Sequence, residues 1–212
     1  MQAGKQENRA FREMRKAAVS RLAGRNAAER AARTGLDYDA GTGTFSLSSL
    51  GCTIRIHEAD WEITPELDPW HHLMLLHYLD AADGTPVTGE LMRFGDLPGG
   101  MVRGGGFDRN SERILSDEWG SRPPEQVARA CRALGGRNIP TNADLCAVFD
   151  LFPLYPITLK LWFADEEMPG SGRLLLDRSA SHFLSVEDAV TAGELLLQKL
   201  SAQYQAMQEA DG

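Results

Sequence analysis

DLFPLYPITLKLWFADEEMPGSGRLLLDRSASHFL, residues 150–184, decides the reading of the fold. Ile157, Leu159, Leu161 and Phe163 alternate with Thr158, Lys160 and Trp162, the period of a strand with one buried face. The acids Asp165, Glu166 and Glu167 follow, then Met168–Pro169–Gly170, a turn composition. Leu174–Leu176 is a short apolar run that suits a partner strand. A hairpin with its loop centred near Met168 sets Asp177 opposite about Leu159. Six residues then separate Asp177 from the level of Asp165, roughly 20 Å at ~3.4 Å per residue. The two acidic clusters are expected to stay apart.

Working outward, Ser185 and Asp188 form a capping pair for a long C-terminal helix reaching about Met207. Upstream, Leu145–Leu151 is apolar on both faces, as a central strand is. Pro123–Pro124 opens a helix that ends at Gly135–Gly136. Pro98–Phe107 carries five glycines and reads as a loop, preceded by a strand over 87–94. Asp68–Pro69 starts a helix to about Ala82, with Trp70, Leu73, Met74 and His77 on one stripe and Leu75, Leu76 and Leu79 on another. Phe45, Leu47, Ile54 and Ile56 alternate about Gly51 as a hairpin. Phe11, Met14, Ala18 and Leu22 recur at helical spacing, Gly24 stops that helix, and Asn26 with Glu29 caps a short second one that Gly35 closes. These elements predict an α+β fold: a mainly antiparallel sheet with helices packed on it, an N-terminal helical pair and a long C-terminal helix. Residues 1–25 read as a basic helical extension and residues 26–212 as a single α+β domain.

Charge is unevenly placed. Residues 1–35 hold nine Lys/Arg against three Asp/Glu, whereas the whole chain has a net charge of −8. An acidic body lacks the clustered cations that phosphate contacts need, so nucleic acid is not an expected partner. The basic first helix can dock on that body or on a protein partner. No window approaches 18 uninterrupted apolar residues and no secretory apolar core opens the chain, so no membrane partner and a cytoplasmic location are expected. Cys52, Cys131 and Cys146 match neither a disulfide framework nor metal-site spacing.

Four groups of residues carry chemical interest. Asp165 and Glu167 point the same way if extended, and such a pair can hold a divalent cation; a solvated turn before Met168–Pro169–Gly170 is the simpler account of them. Asp177 and His182 can form a catalytic pair in which the carboxylate orients the imidazole, or Asp177 simply caps a turn with Ser179. His77, on an apolar helix, can be a ligand, a base or a satisfied core histidine. Arg103, with Gly104 and Gly105, can bind an anion through backbone amides and a guanidinium, although turns and close packing require the same glycines. Trp162 lies on the Thr158/Lys160 face and can cover a groove.

The order and spacing of several short stretches add a family reading. They are LLHYL at 75–79, TGE at 88–90, LPGG at 97–100, LW at 161–162, DEEMP at 165–169, LLLD at 174–177 and SASHFLSVED at 179–188. Together they resemble the domain-of-unknown-function family 3786 of bacterial and archaeal proteins, over about residues 26–200. The resemblance implies no defined activity or cofactor; some relatives look fused to a cysteine-rich iron–sulfur segment of the kind found near corrinoid and anaerobic one-carbon proteins, a pattern from which this sequence departs. Three functions are carried forward. The first is a small-ligand or cofactor-binding accessory domain with contacts from His77, Arg103, Gly104, Gly105 and Trp162. The second is a metal-assisted enzyme using Asp165, Glu167, Asp177 or His182. The third is a protein-interaction module.

Overall fold

The computed structural model describes residues 2–211, with side chains placed from residue 9 to residue 210. The chain opens with α1 (Gln2–Leu22) and α2 (Ala27–Thr34), then forms β1 (Asp37–Asp39), β2 (Thr44–Ser49), β3 (Cys52–His57) and β4 (Ile63–Thr64). After α3 (Pro69–Ala81) come β5 (Leu91–Met92), α4 (Arg103–Ile114) and α5 (Pro124–Ala133). The last part is β6 (Arg137–Asn138), β7 (Leu145–Phe152), β8 (Tyr155–Trp162), β9 (Ser171–Asp177) and α6 (Val186–Asp211). The α+β class and the long C-terminal helix stand as the sequence predicts.

The strands form two sheets, ordered β1-β2-β3-β4 and β5-β9-β8-β7-β6, and every pairing is antiparallel. The β2–β3 hairpin turns through Leu50 and Gly51, both at positive φ (47° and 75°), the backbone that a tight two-residue turn requires. In the larger sheet β8 is central, not β7, and the edges β5 and β6 are two residues each. Its inner face (Ala147, Phe149, Ile157, Leu159, Leu161, Leu174, Leu176) is buried; α4 packs on β9 and α5 on β6 and β7, and both helices pack on α6. The outer face carries Cys146, Val148, Thr158 and Lys160 in cross-strand register.

Several sequence expectations change. Trp162 pairs with Ser171 and Ile157 with Leu176, so the hairpin loop centres on Glu166–Glu167. One further step sets Asp177 beside Pro156 rather than Leu159, a three-residue shift. Asp165 and Asp177 still lie at opposite ends of the ribbon. The strand expected over 87–94 shrinks to Leu91–Met92, because the Thr88 and Gly89 amides donate to the Asp177 carboxylate instead of a ladder. The glycine loop is helical from Arg103: a Cβ on Gly104 would run into the Phe94 carbonyl, so only glycine permits this packing. Trp70, expected on a buried stripe, is 45% exposed in the first turn of α3.

Candidate functional site

His77 reaches the surface of the core where α3 meets the start of α6. Ser185 caps α6, its hydroxyl accepting from the Asp188 amide and donating to Asp188 Oδ2 at 2.9 Å. This fixes the carboxylate, and Asp188 Oδ1 lies 2.9 Å from His77 Nδ1. A carboxylate already holding a hydroxyl proton donor is an acceptor, so the imidazole proton belongs on Nδ1. Nε2 keeps its lone pair and has no partner among the described residues. Such a carboxylate on Nδ1 orients the ring and leaves Nε2 as the atom offered to a ligand.

The pair lines a cleft of about 240 Å3 whose other walls include Arg21, Asp80, Phe183 and Ser185. Arg21 Nε and Arg25 Nη2 hold Asp80 at 2.6 and 2.8 Å, which pins the end of α1 over α3. Tyr155 is fully buried, and its hydroxyl has no hydrogen-bond partner among the described residues. Burial, and then the charge of Asp188, raises its pKa well above the phenol range. The site therefore offers one imidazole nitrogen without a partner among the described residues, a fixed carboxylate and a guanidinium at its rim.

A larger cavity of about 740 Å3 lies at the tip of the β8–β9 hairpin, lined by Trp162, Asp165, Met168, Glu112, Asp144 and Ser116 among others. Its polar groups are occupied by the turn itself. Asp165 Oδ1 accepts from the amides of Glu167 and Met168, Asp144 from the amide of Phe163, and Ser116 donates to the Gly170 carbonyl. Glu112 pairs with Arg93 and Arg173. Those two amide bonds hold the Asp165 carboxyl below its ordinary pKa. Volume alone favours this cavity; free chemistry favours the smaller one, which we take as the candidate site.

The other sequence-selected residues are dispersed. Asp177 and His182 do not pair. Asp177 is buried and accepts from Thr88 N and Oγ1, Gly89 N, and Ser179 N and Oγ. Burial pushes its pKa up, yet the bonds from Thr88 and Ser179 outweigh burial and the carboxyl sits below its ordinary value. His182 Nδ1 lies 2.8 Å from Asp83 Oδ2, both half-exposed. Hydrogen bonds from His182 and Thr85 bring Asp83 down to about 2. Arg103 is an exposed guanidinium 3.8 Å from Glu194. The Gly105 and Gly106 amides donate to the carbonyls of Gly100 and Val102 rather than converging on an anion. Trp162 Nε1 donates to the Asn142 carbonyl. Glu167 is exposed in the hairpin loop. Among the described residues no three His, Cys, Asp or Glu side chains gather as a metal site, and no helix is long and apolar enough to cross a membrane.

Sequence reasoning selected His77 and missed its partners. Asp188 reads as a helix cap, and a cap does not reveal that its other oxygen faces a side chain 111 residues away.

A family model described as Domain of unknown function (DUF3786) matches residues 26–199. No curated protein and no solved structure matches the chain.

Proposed function

The chain belongs to the DUF3786 family, and from that premise we propose a cytoplasmic accessory domain that binds a small polar ligand at His77 Nε2, in the cleft beside Asp188. The observation that carries this reading is the Asp188–His77 bond of 2.9 Å, which orients the ring and leaves the other nitrogen free. A ligand that donates a proton, or a Lewis-acidic centre, complements that lone pair. The cleft sets an upper bound on size. At about 240 Å3 it falls below the ~300–1,000 Å3 typical of drug-sized pockets. A corrin macrocycle does not fit it, so no role is assigned through such a cofactor.

The test is a thermal-shift panel of phosphate, bicarbonate, formate, ammonium, Zn2+ and Co2+ on the full chain. A ligand at about 100 times its Kd stabilises the native state by about 2.7 kcal/mol. The reading expects at least one compound to raise the Tm of the wild type, no shift for His77→Gln and a reduced one for Asp188→Asn. Shifts that survive His77→Gln, or a panel that moves nothing, overturn it.

A further inference from the structure

Independently of the His77 cleft, we propose that the outer face of the larger sheet is a second binding site, for a small molecule with an apolar body and a carboxylate. The hollow there measures about 420 Å3, within the usual range for ligand pockets. Its floor is Val148, Thr158 and Lys160 in cross-strand register. Its two sides come from the short edges of the sheet: Val87 and Leu91 on one, Ile139 on the other. Those three are 39%, 43% and 44% exposed, and they are three of only eight large apolar side chains that the described residues leave in solvent. Among the described residues, none that lines the hollow belongs to a helix.

Charge selects the occupant. Arg137 Nη2 reaches both oxygens of Asp150, at 2.9 and 3.0 Å, which neutralises one end of the hollow. Asp177, at its margin, accepts four donors on Oδ1 and one on Oδ2. Lys160 has no acceptor among the described residues, and it stands directly across from Arg173. Like charges opposite one another on a sheet destabilise it. Arg173 finds Glu112 at 3.5 Å; the Lys160 ammonium is left without an ion-pair partner among the described residues, and the hollow's remaining charge, the Asp177 carboxylate, sits four residues along the ribbon opposite Pro156 and is held by neutral donors. A carboxylate relieves that imbalance and its hydrocarbon covers Leu91, Ile139 and Val148, which a neutral or cationic amphiphile does only in part.

The probes are octanoate, 1-octanol and octylammonium, followed by methyl NMR of the full chain. Octanoate is expected to bind about tenfold more tightly than octanol, the scale of one charge-assisted hydrogen bond, with shifts centred on Leu91, Ile139 and Val148. Octylammonium is expected to bind no better than octanol. Lys160→Gln should abolish the preference for octanoate and leave octanol binding unchanged. The surface variant Leu91→Ser/Ile139→Ser should weaken both, with the melting curve confirming that it folds. Equal binding of all three probes, retention of the preference in Lys160→Gln, or shifts confined to Ala81 and Leu184 of the His77 cleft each sink the proposal. So does a chain that ignores octanoate while sedimentation shows the serine variant to disrupt a dimer, because the occupant is then a second copy.

Discussion

Asp177 and Asp188 both stand at the start of a helical turn, yet their surroundings give them different work. Asp177 receives five donors in a buried place, four on Oδ1 and one on Oδ2, and ties the 88–89 segment to the turn at Ser179. Its role as a cap with Ser179 is legible in the sequence; the contacts to Thr88 and Gly89 are not, since nothing local announces a partner 89 residues away. Asp177→Ala strands several buried donors, each costing about 1–3 kcal/mol. We expect a loss of roughly 3 kcal/mol or more in urea unfolding. The carboxyl sits below its ordinary pKa, so its contribution is present above about pH 4 and disappears as acid protonates it. Asp188 instead has one oxygen on Ser185 and one on His77. Asp188→Asn is expected to cost only about 1 kcal/mol, but to change the tautomer of His77, read from the side-chain nitrogen shifts by 15N NMR.

At the scale of elements, the glycine run 104–106 shows how local preference yields to packing. Glycine is among the poorest helix formers, about 0.8–1.0 kcal/mol per residue below alanine, so three together read as loop. In the fold they form the first turns of α4, and the backbone of Phe94–Gly95 lies where a Gly104 side chain would be. Gly106 faces open space. The two positions should therefore respond oppositely to the same substitution. Gly104→Ala is expected to destabilise by about 1–3 kcal/mol or more through overpacking, and Gly106→Ala to stabilise by about 0.5–1 kcal/mol. Urea midpoints of the pair check this directly. The neighbouring sheet hairpins were easier to read, because period-2 alternation in β2, β3 and β8 coincides with the face each strand buries.

Across the whole molecule, α1 lies on α3 through a polar seam. Arg15 Nε donates to His72 Nε2 at 3.2 Å, Arg15 also meets Glu62, Phe11 packs edge-on against His72, and Arg21 and Arg25 hold Asp80. His72 can accept that bond only while neutral. Burial, then Arg15, brings its pKa down to about 4. His71, buried beside Ser49, is likewise brought to about 4, first by burial and then by Lys199. Unfolding restores both to near 6.5, so the unfolded chain binds more protons between those values and stability rises with pH from about 4 to about 6.5. For His71 the full shift is worth at most about 3 kcal/mol. Acidifying from pH 7 to 4.5 is expected to lower the urea midpoint and to speed hydrogen exchange in α1 before the sheet; His72→Gln, which accepts without titrating, should reduce both effects. By itself the sequence determined the α+β class, most helix caps, the β2–β3 and β8–β9 hairpins and the separation of Asp165 from Asp177. Each of these follows from periodicity or from contacts within a few residues. Only the tertiary structure decided the exact hairpin register, the helical state of the glycines and the meeting of His77 with Asp188. Those depend on which groups compete for the same space and the same hydrogen bonds once distant segments are brought together.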